Sequence, residues 1–88
     1  MLSEQRRVTV GNKPLSNYIA LVSTFLSQGV KEVVIRGKGE NISKAVDLYN
    51  ILHRRLGDYL KLTNVSIGTE RVGGRAVSYI EITLQRTY

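Results

Sequence analysis

The chain has 88 residues, enough for one domain but not two, and a domain of this size buries only about 60–65% of the surface its unfolded chain exposes. Hydrophobic residues make up 42% and charged residues 23%, which excludes a disordered chain, and the absence of Cys excludes disulfides and thiolate metal sites. Thirteen Lys and Arg oppose seven Asp and Glu, and the resulting net charge of +6 favours a polyanionic partner, either nucleic acid or an acidic membrane surface.

Residues 1–6 are polar and are expected to form a flexible tail, leaving 7–88 as a single domain. No apolar run follows the first basic residues, so a secretory leader is not expected. No segment approaches the roughly 20 apolar residues of a membrane span, and the expectation is a soluble cytoplasmic protein. Val8 and Val10 flank Thr9 in a short alternating strand that Gly11-Asn12-Lys13-Pro14 breaks. Pro14 suits a first helical turn, where its missing N–H costs nothing. Leu15, Tyr18, Ile19, Val22, Phe25 and Leu26 then fall on one helical face, and Gly29 is the expected stop.

Val33-Val34-Ile35 is a continuous β-branched run, as in a strand buried on both faces of a sheet. Gly37-Lys38-Gly39 breaks it. Asn41 can cap a second helix, with Ile42, Ala45, Val46, Tyr49, Leu52 and Leu56 as its apolar face. From Leu60 the chain reads as β. The apolar phase slips between Leu62 and Val65, which predicts a bulge or a change of buried face. Val72-Gly73-Gly74-Arg75 is a turn, after which Ala76, Ser78, Ile80, Ile82 and Leu84 take one face and Val77, Tyr79, Glu81 and Thr83 the other. The order β-α-β-α-β-β predicts an α+β fold, a mixed four-stranded sheet with two helices packed on it.

Little here suggests catalysis. His53 is the only histidine and no nucleophile constellation surrounds it in sequence. The carboxylates are scattered without the spacing of a metal site or a catalytic pair. Gly37-Lys38-Gly39 lacks the length and the Ser or Thr of a phosphate-binding Walker loop and is an ordinary glycine turn by composition. Its place before a helix still suits a phosphate, because helix N-termini carry free N–H groups and partial positive charge. In a sheet built from two β-α-β steps, Lys13 and Lys38 fall at the same end of the parallel strands. Arg71 and Arg75 bracket the Gly73-Gly74 tip. A narrow arm with arginines at its end fits a DNA minor groove, and an exposed hairpin whose charges keep its edge soluble fits the same residues. The aromatics form no exposed stacking row; Tyr18, Phe25 and Tyr49 lie on the apolar helix faces.

Val10-Gly11-Asn12-Lys13-Pro14 with Asn17-Tyr18, then Gln28-Gly29-Val30 ahead of Glu32-Val33-Val34-Ile35, resembles the first half of Alba proteins. Gly39 followed by Ile42-Ser43-Lys44-Ala45-Val46-Asp47 is similar to their most recognisable segment. Ile67-Gly68-Thr69-Glu70 and Ser78-Tyr79-Ile80-Glu81-Ile82 complete a match over residues 7–86. Leu48-Tyr49-Asn50 and the ending Arg86-Thr87-Tyr88 are more similar to the second archaeal paralogue of that family, Alba2.

The resemblance implies a fold like the C-terminal domain of translation initiation factor three. It implies a chromatin protein that coats and compacts double-stranded DNA with little sequence preference, often binds RNA, and is neither an enzyme nor cofactor-dependent. It implies a homodimer, or a heterodimer with another Alba paralogue, on the chromosome in the cytoplasm and not on a membrane. The loop before helix one would lie at the centre of the binding surface, and the hairpins would reach along the minor groove. Asn12, Lys13, Lys38, Asn41, Lys44, Arg71 and Arg75 are the nucleic-acid-binding residues expected on this basis. Three positions depart from the family pattern: Asn12 stands where a second Lys is usual, Glu40 where a basic residue is common, and Leu56 where a Phe implicated in contact between dimers is often found. An RNA-binding ribonucleoprotein subunit and a heterodimer partner that modulates another Alba protein are the alternative readings.

Overall fold

The structure is a computed structural model that describes residues 5–88. Its elements are β1 (Gln5–Thr9), α1 (Leu15–Ser27), β2 (Glu32–Lys38), α2 (Ile42–Leu56), β3 (Leu60–Val72) and β4 (Arg75–Arg86), with single 3-10 turns at Gly39–Asn41 and Gly57–Tyr59. The expected element order and the α+β class are both present. Of the expected tail, Gln5 and Arg6 belong to β1, where they pair with Glu32 and Val33; residues 1–4 lie outside the described residues.

The four strands form one sheet in the order β1-β2-β4-β3. β1 pairs with β2 in parallel, whereas β4 runs antiparallel to both β2 and β3. Three strands therefore point one way and β4 alone returns between them. Both helices cover one face of the sheet. Val8, Val33, Ile35, Ile82 and Leu84 from that face meet Tyr18, Val22 and Leu26 of α1 and Ala45, Leu48 and Leu52 of α2 in a single core. Val34, on the uncovered face, is also buried, as the β-branched run predicts.

Each element ends for a local reason. Pro14 sits one residue ahead of α1, in an extended conformation, and its carbonyl accepts the Asn17 N–H at 3.0 Å. At the other end of α1, Gly29 has φ +87°; its N–H donates to Leu26 and the Val30 N–H to Phe25, which closes the helix in a Schellman arrangement. The expected break at Gly37 comes two residues later, because Gly37 and Lys38 still pair with Ile80 and Tyr79. Asn41 does not cap α2 with its side chain; the 3-10 turn supplies the entry instead. Leu48 is fully buried although it was not expected on the apolar face of α2, because that face is wider than the stripe read from the sequence. The predicted slip in β3 is a bulge between Leu62 and Asn64.

Gly37 lets β2 pass close beneath the start of α2. A Cβ there would lie 2.4 Å from the Asn41 carbonyl oxygen and 2.7 Å from the Ala45 Cβ. Backbone and a buried neighbour leave no room to yield. Gly37→Ala is expected to lower stability by about 1–3 kcal/mol, the usual cost of overpacking, as read from urea denaturation midpoints.

Candidate nucleic-acid interface

Strand direction assembles the candidate surface. The loop after β1, the turn after β2 and the tip between β3 and β4 all follow strands that run the same way, so all three lie at one end of the sheet. Lys13 and Asn12 are exposed on the first, Lys38 leads into the second with Asn41 half-buried behind it, and Arg71 and Arg75 flank the third. The structure thus brings Asn12, Lys13, Lys38 and Asn41 to the end toward which the hairpin points.

The arm itself is a two-stranded ribbon. Lys38 opposite Tyr79 is the last pairing with β2, after which β3 and β4 continue alone through Thr69–Ser78, Glu70–Val77, Arg71–Ala76 and Val72–Arg75. Four such pairs extend about 13 Å beyond the sheet. Gly73 and Gly74 close the ribbon with φ +57° and +78°, the two positive values of a type I′ turn. Facing residues of a ladder share a side. Arg71, opposite Ala76, therefore lies on the helix side, and Arg75, opposite Val72, on the open side. Arg71 Nη1 donates to the Gly74 carbonyl at 3.2 Å, which holds that guanidinium at the tip.

Two of the expected cations are not free. Lys38 Nζ lies 3.3 Å from a Glu70 carboxylate oxygen. Lys44, on the first turn of α2, donates its ammonium to the carbonyls of Gly11, at 2.7 Å, and Lys13. Gly11 is held again by its N–H, which donates to the Tyr18 hydroxyl at 2.8 Å.

The sequence reading missed an ion network on the open face of the sheet. Arg36 bonds to Glu81 and, at 2.9 Å, to Glu70; Arg7 reaches the same Glu81 at 3.0 Å. The Arg36 guanidinium also stacks 4.3 Å from the centre of the Tyr79 ring. Tyr79 in turn lies across Gly68 on β3, where a Cβ would stand 2.5 Å from the tyrosine hydroxyl. These partners are separated by tens of residues, so spacing gives no signal. The period-two alternation of β2 and β4 is the one clue, because it puts Arg36 and Glu81 on one face.

The network shifts proton affinities. Glu81 first, and then Glu70, hold the proton of Arg36 more firmly than usual. Arg36, with Lys38 second, keeps the Glu70 carboxyl below the ordinary carboxylate range. A depressed carboxylate stabilises the fold fully above its ordinary range, and the contribution is lost as pH falls through the folded value. Elsewhere the lone His53 is exposed and stacks on Tyr49, with ring centres 5.8 Å apart, and no three His, Asp or Glu side chains converge among the described residues.

A small α+β domain with two strand–helix junctions and a basic arm gathered at one end is an architecture shared with known proteins. The Alba family profile matches residues 7–69. The DNA/RNA-binding protein Alba 2 of Saccharolobus solfataricus and that of Saccharolobus shibatae are each 43% identical over 76 residues, 86% of this chain and 85% of theirs. Alba from Thermoplasma volcanium superposes with a TM-score of 0.86 at 34% identity, over 92% of this chain and all of that one. ALBA1 from Trypanosoma brucei has the same fold, with a TM-score of 0.80 at 23% identity, over 91% of this chain and 68% of that one. This chain belongs to the Alba family.

Acidification offers a test of the network at the base of the arm. As pH falls below the ordinary carboxylate range, the amides of residues 69–72 are expected to show faster exchange relative to their intrinsic rate at each pH, while Val33 and Ile35 keep their protection. Glu70→Gln is expected to show the faster exchange already at neutral pH, with a weaker dependence on acid.

Proposed function

We propose that this protein is a non-enzymatic, sequence-nonspecific double-stranded DNA-binding chromatin protein that coats and compacts DNA, also binds RNA, and works as a dimer on the chromosome in the cytoplasm. The observation that carries the reading is the convergence of the Lys13 loop, Lys38 and the Arg71–Arg75 arm on one end of the sheet. Relatives named as DNA/RNA-binding proteins, at 43% identity over most of their length, support it.

The mechanism is electrostatic. Lys13, Arg71 and Arg75 neutralise backbone phosphates and release their counterions, and Lys38 joins them when a phosphate replaces Glu70 beside it, while Asn12 and Asn41 offer uncharged hydrogen bonds to the same backbone. The arm carries an arginine on each side of a ribbon two strands wide, which suits the narrow, electronegative minor groove. Phosphate contact by itself is indifferent to sequence.

A second copy of the chain, or another Alba paralogue, fits the free edge of β3. Leu62, Val65 and Ile67 are 40%, 48% and 79% exposed and share the helix side of the sheet with Leu84, Ile82 and Ile80, their cross-strand partners. Ile67 also lines a groove with Ile42 of α2. An apolar row on an unpaired edge strand is an aggregation hazard unless a partner covers it. A twofold interface there would double the basic surface.

The affinity for a random-sequence duplex is expected to fall with added salt, with a log–log slope of roughly −5 to −7 if about six to eight phosphates are neutralised per dimer. Lys13→Ala is expected to weaken all duplex sequences alike, as read by fluorescence anisotropy. An affinity indifferent to salt, or to Lys13→Ala, refutes the coating mechanism. Competition between duplex DNA and structured RNA at fixed salt ranks the two ligands. Ile67→Glu is expected to leave the circular dichroism spectrum unchanged and to reduce the mass by light scattering from twice 9.9 kDa to 9.9 kDa.

A further inference from the structure

The loop between β1 and α1 has no ladder to satisfy its backbone, yet its polar groups are held from several directions. Val10 N–H donates to the Arg36 carbonyl at 2.8 Å, and Gly11 N–H donates to the Tyr18 hydroxyl at the same distance. The carbonyls of Gly11 and Lys13 both accept from the Lys44 ammonium, which stands 5.6 Å from the centre of the Tyr18 ring. Lys44 is half-buried, while Asn12 and Lys13 are exposed.

An ammonium has three protons, and two of them are directed inward here. Only the third proton is left for an outside acceptor, and swinging the ammonium out toward a phosphate would break two charge-assisted bonds and leave two carbonyls unpaired. Lys13 has no such conflict, because only its backbone is engaged. The two lysines thus divide the work, one gripping the chain and the other projecting from it.

We infer that Lys44 is a positioning residue: it fixes the 11–13 loop in the shape that presents Asn12 and Lys13, and it does not itself ligate phosphate. The inference rests on the reading that this loop meets nucleic acid. Holding the loop in its binding shape beforehand removes an ordering cost from association. It also explains how a loop with only one free lysine presents that charge in a defined place.

The test uses the full-length protein, its Lys44→Met, Lys13→Ala and double variants, and a short random-sequence DNA duplex. Lys44→Met is expected to weaken binding about tenfold with an unchanged salt slope, because no phosphate contact is lost. In the Lys13→Ala background the same change is expected to cost no more than about twofold. A direct phosphate ligand would instead give additive losses and a slope smaller by about 0.9 per protomer, and that result overturns the inference. In the free protein, amide exchange at residues 11–13 is expected to accelerate in Lys44→Met and not in Lys38→Met; unchanged exchange in Lys44→Met overturns it as well. Lys44→Gln replaces Lys44→Met if the latter loses its native circular dichroism. If the wild-type protein does not bind the duplex, the functional reading fails, and the exchange comparison alone decides whether Lys44 holds the loop.

Discussion

The return of β4 between β2 and β3 is the constraint from which the rest of the molecule follows. Ile82 and Leu84 are buried in the centre of the sheet, so the strand is held there by the core rather than by its turns. Its antiparallel pairing on both sides makes β3 parallel to β2, and the parallel pairing of β1 with β2 completes the alignment. A different insertion point would send the hairpin to the opposite end from the two strand–helix junctions. Burial of apolar side chains in the core thereby dictates where the cations on the surface meet.

Charge on this protein is not a uniform coat. Glu70 and Glu81 engage Arg7, Arg36 and Lys38 on the open face of the sheet, and Lys44 is turned toward backbone carbonyls. At the end of the sheet to which the hairpin points, the cations other than Lys44 left without a carboxylate partner among the described residues are Lys13 on the first loop and Arg71 and Arg75 at the tip of the arm. The two carboxylates also brace the point where the arm leaves the sheet, because Glu70 is on the arm and its partners Arg36 and Lys38 are on β2. Tyr79 reinforces the same point by lying across Gly68 and against Arg36. Acidic residues thus contribute to an interface for polyanions by aiming its arginines.

Features that depend on neighbours in sequence were legible from it. The helical spacing of Leu15 to Leu26, the β-branched run at Val33–Ile35, the slip after Leu62 and the glycine tip all reappear in the structure. The first half of β1 was not, because Gln5 and Arg7 are polar residues on the outer strand of a sheet and carry no apolar alternation. The side-chain cap expected of Asn41 failed for a related reason: propensity cannot see that a preceding 3-10 turn has already satisfied the geometry. The site divides in the same way. Its cations could be named from the sequence, together with the end of the sheet they share. Which of them are already engaged depends on contacts such as Arg36 with Glu70 or Lys44 with Gly11, across 34 and 33 positions of chain, and no periodicity records these.

The four-rung ribbon beyond Lys38 contributes nothing to the core, and its closing turn has no slack. Its length is therefore an independent variable. Relatives could extend or shorten it without disturbing the domain, but only in whole rungs, one residue on each strand, of about 3.4 Å. One added rung moves the tip arginines to the opposite sides of the ribbon, and two restore the original sides with a longer reach. The span of nucleic acid that each molecule covers would accordingly change in steps, set by the pleat.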